Sequence, residues 1–176
     1  MTAGSKRKRV MIIGQPGSGK STLARRLGEP LQLPVVHIDR IHWESGWIER
    51  AGPEKDLLCS EVHARDKWIF EGGRSNTWPE RLERADTLIF LDIPLFIRAW
   101  RVLKRRVEYH GVSRPDLPDG CPENINWEFV QYIWRTRNID RLRMIKFFDS
   151  VSESKETYRL RNRSEVEKFI RKIRDA

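Results

Sequence analysis

Short unbroken apolar runs alternate along the chain with longer stretches in which apolar positions recur every three or four residues. The run Val10 to Ile13 follows a basic segment and stops at Gly14, which predicts a buried strand over 8–13 entering a tight turn. From Ser18 to Gly28, Leu23 and Leu27 stand four apart on one face of a predicted helix. Leu33 to Ile38 predicts a second strand that ends at Asp39, and Ile41 to Trp47 reads as a structured loop. Pro53 is well placed to open a helix running to about Arg65, since proline suits the first turn. Lys67 to Phe70 predicts a third strand closed by Glu71-Gly72-Gly73, and Pro79 to Ala85 a short helix. Asp86 to Asp92 is so continuously apolar that a fourth strand there must be buried on both faces. Helices are predicted over Pro94 to His110 and over Asn126 to about Ser150, a fifth strand over Thr157 to Leu160, and a last helix over Ser164 to Arg174. Gly111 to Glu123 carries three prolines and two glycines and reads as a loop or lid. This alternation predicts one α/β domain over 1–176, a three-layer sandwich around a mainly parallel sheet, with a basic tail at 1–8.

The first turn carries the clearest chemistry. Gly14-Gln15-Pro16-Gly17-Ser18-Gly19-Lys20-Ser21 fits G-x-x-x-x-G-K-[ST] between a strand and a helix, a P-loop signature. Glycines at 14, 17 and 19 let backbone N–H groups turn inward around phosphate oxygens. The helix N-terminus adds its positive dipole end. Lys20 would reach the β- and γ-phosphates of ATP, and Ser21 would offer its hydroxyl to Mg²⁺. Two strands end in an acid that could stand on the Mg²⁺ side, at Glu71 and at Asp92; the glycines after Glu71 open room near phosphates and favour it. Asp39, just past the second strand, is placed to take a proton from an acceptor hydroxyl or to bind Mg²⁺-bound water. His37 and His42 flank it, but packed histidines are commoner than a His-x-Asp-x-x-His metal site.

Charge narrows the partners. The 176 residues hold 34 Lys plus Arg against 25 Asp plus Glu, a net +9, and 24 of those cations are arginine. Arginine forks onto phosphate oxygens, so anionic partners such as nucleotides are expected. The groups Arg98–Arg106, Arg135–Arg143 and Arg159–Arg163 could line a polyphosphate cleft. A single-stranded nucleic acid is compatible with this charge and with seven tryptophans, but most of these sit in apolar patterns, and no helix-turn-helix or RNA-binding signature is present. No Asn-Lys-x-Asp segment supports a GTPase. No apolar run is long enough for a transmembrane helix or a secretory signal, and the two cysteines form no CxxC, so no membrane association and a cytoplasmic setting are expected. For the acceptor, a nucleoside monophosphate would need only arginines such as Arg40 and Arg74, whereas an alcohol would need a carboxylate such as Asp39. The residues leave both open.

Several segments together resemble one group. After the P-loop come PVxHxDxxxW at 34–43, WI-acid-GG at 68–73, RLxxADTxIFLDxP at 81–94, RxxRVLxR at 98–105 and RPDxxxGCPE at 114–123. This set resembles the bacterial "DNA topology modulation protein" family, which is similar in turn to adenylate kinase and other small nucleoside and nucleotide kinases. The resemblance implies a five-stranded parallel sheet of order 2-3-1-4-5, a mobile lid at about 111–125, and phosphoryl transfer from ATP to a small nucleoside- or nucleotide-type acceptor. A nucleic-acid-associated ATPase or regulator is the alternative that the family label raises. The resemblance also implies that Gly14, Gly17, Ser18, Gly19, Lys20, Ser21 and Thr22 hold ATP phosphates and Mg²⁺, with Glu71 on the metal side. Asp39, Arg40, Trp43, Gly72 and Arg74 would border the acceptor. Arg101, Arg105 and Arg106 would lead into the lid, Arg137 and Arg141 would face it, and Arg161 and Arg163 would lie near adenine. Two departures stand out: Glu71-Gly72-Gly73-Arg74 replaces the family's Asp-Gly-Asn-aromatic, and Cys121 alone stands where a zinc-bearing lid would need four cysteines.

Overall fold

A computed structural model describes residues 7–109, 111–112, 114–122, 127–151 and 155–175. Seven strands and eight α-helices alternate along them. They are β1 (Arg9–Gly14), α1 (Lys20–Leu31), β2 (Val35–His37), α2 (Ile38–His42), β3 (Trp43–Glu44), β4 (Ile48–Glu49), α3 (Gly52–Ala64) and β5 (Trp68–Glu71). There follow α4 (Trp78–Arg84), β6 (Thr87–Leu91), α5 (Leu95–Glu108), α6 (Trp127–Thr136), α7 (Ile139–Asp149), β7 (Glu156–Leu160) and α8 (Arg163–Arg174). Five strands form one parallel sheet in the order β2-β5-β1-β6-β7. Taken in chain order without the β3–β4 hairpin, this is 2-3-1-4-5, and the α/β class is as the sequence implies.

The centre of the sheet follows from composition. β5 and β6 are buried at every position, as their unbroken apolar runs require. Successive residues of β1 point to opposite faces. Val10 and Ile12 join the core under α1 and α8, while Met11 and Ile13 join the core under α3, α4 and α7. The last helix is fastened locally: the N-cap Asn162 accepts through Oδ1 from the Glu165 amide at 2.9 Å, and Glu165 accepts from the Arg161 amide, one residue before the cap, at 2.8 Å.

Three sequence expectations need correcting. The segment 41–47 is not irregular: α2 runs into the antiparallel β3–β4 hairpin, whose turn sets Gly46 and Trp47 at φ 78° and 61°. The helix expected from Asn126 to Ser150 is broken at Arg137–Asn138 into α6 and α7; its start at Asn126 lies outside the described residues. At the break, Gln15 Nε2 donates to the Arg137 carbonyl at 3.0 Å and ties that turn to the P-loop. Finally, α1 starts at Lys20 rather than Ser18 and carries Pro30 in its last turn. No helix among the described residues is long and apolar enough to cross a membrane.

Candidate active site

Ligands of open α/β sheets bind beyond the carboxyl ends of the strands. Here the P-loop leaves β1, Asp39 follows β2, and Glu71 ends β5, all at that edge. They open into one cleft of about 880 Å³.

The P-loop shape depends on glycine at Gly17, which has φ 77° and would place a Cβ 2.5 Å from the Arg98 carbonyl oxygen. Two arginines of α5 brace the loop from outside. Arg98 donates to the carbonyls of Pro16 and Ile93, both at 3.1 Å, and Arg101 donates to the Ser18 carbonyl at 2.9 Å. Arg98 is 2% exposed, so its role is structural, a role the sequence reading missed. At the head of α1, Gly19 supplies no side-chain cap, so the first amides of the helix keep their donors for another acceptor. Ser18 Oγ is buried without a hydrogen-bond partner among the described residues, and Lys20 Nζ reaches only the Gln15 carbonyl, at 3.3 Å. Uncapped amides, an orphaned hydroxyl and a half-buried ammonium form a donor set that fits a phosphate chain.

Gly14, Gly17, Gly19, Lys20, Ser21 and Thr22 line the cleft on one side. Asp39, Trp43, Glu71 and Gly72 line it as well, with Arg101 and Arg105 from α5. Gly72 cannot be replaced without displacement, since its φ is 121° and a Cβ would stand 2.0 Å from Ile38 Cγ2. Glu71 Oε1 accepts from His37 Nδ1 at 2.7 Å, and both side chains are buried. His42 packs edge-on against Trp43 and approaches Glu49 at 3.5 Å, so the two histidines turn away from Asp39 to separate partners. Burial and, next, the charge of Glu71 push the Asp39 carboxyl up to about 6. Burial pushes the Lys20 ammonium below its ordinary value, although Glu71 and Asp39 oppose the shift.

Other residues singled out from sequence lie elsewhere. Arg141 and Arg159 both fork onto Asp92, at 2.7 and 2.8 Å. Arg141 is therefore committed to a structural pair, and Asp92 is not on the cleft wall. Burial alone would raise the Asp92 carboxyl, but the two guanidinium groups outweigh it and hold it below the usual range. The stabilisation from this carboxylate is present above its ordinary pKa and fades as pH falls through the depressed one. Asp92→Ala is expected to cost about 2 kcal/mol, below the range for a fully buried pair because Arg141 is half exposed; denaturant unfolding at neutral pH measures it.

Arg137 stacks on the Trp134 ring and lies with Arg141 beside a smaller cavity. Arg40 donates to the Pro115 carbonyl at 2.9 Å, and Arg74 is tied to Asp56 and the Gly52 carbonyl. Neither of these two lines the cleft. Arg106, Arg161 and Arg163 are also off its wall: Arg106 is turned about 100° around α5 from Arg105, Arg161 directly follows β7, and Arg163 opens α8. Ser18 lies beneath the wall.

The sequence reading did not single out Arg25, Asp116 and Tyr132 as lining residues. Arg25 follows Ser21 by four, one helical turn on the same face, and that spacing was a usable signal. Asp116 had none, since only the fold of the lid brings it inward. Segment 114–122 closes over the hairpin: Gly46 donates to the Gly120 carbonyl at 3.1 Å, and Trp47 Nε1 to the Pro122 carbonyl at 3.0 Å. Cys121 Sγ bonds the Glu44 carbonyl at 3.2 Å. The lid residues 113 and 123–125 lie outside the described residues.

Known proteins with related sequences carry kinase names. A shikimate kinase from Rhodococcus jostii (strain RHA1) is 26% identical over 137 residues, 70% of this chain and 78% of that protein. A cytidylate kinase from Methanothrix thermoacetophila is 34% identical over 111 residues, 54% of this chain and 62% of that protein. The fold is shared with shikimate kinase from Acinetobacter baumannii in complex with shikimate, at TM-score 0.56 and 17% identity over 97% of this chain and 93% of that one. It is shared also with a gluconokinase from Sinorhizobium meliloti 1021, at TM-score 0.53 and 15% identity over 96% and 90% of the two chains. The AAA domain family matches residues 10–119, from the first strand through most of the segment that closes the cleft. The chain belongs to the AAA domain family and is built on the fold of the P-loop kinases.

Proposed function

We propose that the protein transfers the γ-phosphate of ATP to a hydroxyl group of a small acceptor. The observation that carries this reading is Asp39: a carboxylate sharing the cleft with Lys20, held near neutrality, at the edge where the sheet presents its ligands. An alcohol must lose a proton as it attacks, and a base with a pKa near the working pH serves best. The arginines that a phosphate acceptor would need, Arg40 and Arg74, are engaged elsewhere. The kinase names of the relatives support the reaction class.

In this reading Lys20 and the α1 amides hold the β- and γ-phosphates, and Ser21 Oγ would ligate Mg²⁺. Glu71, fixed by His37, would hold a water of the metal shell. The ion, when bound, offsets phosphate charge. Asp39 takes the hydroxyl proton on its carboxylate oxygen. Arg105, whose charge is felt at Lys20, stands where it can offset charge on the transferring group, and Arg101 fixes the loop. The segment 114–122 shields the cleft from water and so limits ATP hydrolysis.

The resemblance to the DNA topology modulation proteins rests on the sequence motifs alone. The alternative of a nucleic-acid-associated ATPase draws no support from the relatives.

A pH–rate profile tests the proposal. As the base must be ionised to act, kcat/KM for phosphoryl transfer is expected to rise through a limb near pH 6 and level off above it. That limb should vanish from the residual activity of Asp39→Asn. An unchanged limb in the variant would assign the base elsewhere.

A further inference from the structure

We infer that the acceptor is an uncharged polyhydroxylated ring compound, not a carboxylic acid or a phosphate ester; this rests on the kinase reading above. Three observations at the Asp39 end of the cleft carry it.

The first is the local charge. The charges that Asp39 feels most are those of Glu71, Lys20, Arg114 and Asp116. Lys20 belongs to the phosphate loop. With Glu71 on the metal side, what faces an acceptor there is Asp39 and the Arg114–Asp116 pair, a net negative charge; the other cations of the cleft wall, Arg25, Arg101, Lys104 and Arg105, lie on α1 and α5 with the phosphate loop.

The second is the state of that guanidinium. Arg114 Nη1 donates to Asp116 Oδ2 at 2.7 Å, and Asp116 is 4% exposed. A carboxylate already holds the arginine, so an acid or phosphate would have to displace a buried partner. A hydroxyl needs no such exchange: it can donate to a carboxylate oxygen, which an ionised acid or phosphate cannot do. Arg40 and Arg74, which could have balanced an anion, are pinned to Pro115 and Asp56.

The third is the wall. Trp43 and Trp47 both line the cleft, with ring centroids 5.3 Å apart and planes at 79°. Trp47 is anchored by its Nε1 bond to Pro122. Two fixed indoles at right angles make an apolar corner for the C–H face of a ring, while the carboxylates take its hydroxyls.

The test measures kcat/KM with ATP and Mg²⁺ for matched pairs: nucleosides against their monophosphates, and aldoses and methyl glycosides against the corresponding sugar acids. The uncharged member of a phosphorylated pair is expected to be favoured at least tenfold. In Asp116→Asn, which takes the Asp116 carboxylate from Arg114, the acid-to-neutral ratio should rise at least tenfold. Should that variant not fold, the wild-type ratio decides alone. Acids or phosphates used as well as, or better than, their neutral partners would overturn this inference and leave the kinase reading standing. ATP turnover with no phosphorylated acceptor of either kind would overturn both.

Discussion

Replacing Lys20 with alanine is expected to lower phosphoryl transfer by about 10³-fold or more, the scale on which a charge aimed at the developing transition state acts. The same change should not weaken the fold. Burial holds the Lys20 ammonium below its ordinary value, so its charge is carried at a cost to stability, and alanine removes that cost. Stopped transfer with an undiminished denaturant midpoint is therefore the expected pair of results. A variant that unfolds early would instead make Lys20 a structural residue.

Asp39→Asn should separate function from stability more sharply. Loss of the general base is expected to reduce kcat by about 10²–10⁴-fold. Asn keeps the shape and one acceptor oxygen, so a KM effect should be small beside the kcat effect. Stability should move in the opposite direction. A carboxyl raised from 3.8 to about 6 in the fold is penalised when ionised, by up to about 3 kcal/mol at neutral pH. The opening of Asp39 to the cleft makes that an upper bound. The penalty is complete above pH 6 and disappears as pH falls towards the ordinary value, so Asn should stabilise the protein at pH 7.5 and do little near pH 4. Chemical denaturation at the two pH values checks the sign. A variant less stable than the parent at pH 7.5 would mean that Asp39 is there for the fold.

The legible parts of this molecule are those whose cause is local. The P-loop could be read because the turn, the lysine and the hydroxyl are neighbours in sequence. β5 and β6 could be read because strands buried on both faces are apolar throughout. Glu71 and Asp92 could not be separated with the same certainty, since each is an acid ending an apolar strand. What separates them is remote: Arg141 and Arg159 arrive from 49 and 67 residues away to occupy Asp92. The break between α6 and α7 is likewise marked by a remote contact, its tie to Gln15 across 122 residues. β3 and β4 are two residues each, too short to show an alternation. The arginine clusters were legible only in part. A run such as Arg101, Lys104, Arg105 and Arg106 names a basic helix, but only the packing of α5 decides which side chains turn to the cleft. Arg40 and Arg74 looked like anion ligands until a carbonyl and a carboxylate took them.

The most direct test of the central claim is transfer itself. The protein would be incubated with Mg²⁺ and ATP labelled in its γ-phosphate, together with a panel of hydroxyl compounds, and the products separated. The account predicts a labelled phosphate monoester that forms in step with ADP, is absent with Lys20→Ala, and falls steeply with Asp39→Asn. Label recovered only as inorganic phosphate, at a rate indifferent to every acceptor and raised by nucleic acid, would contradict it.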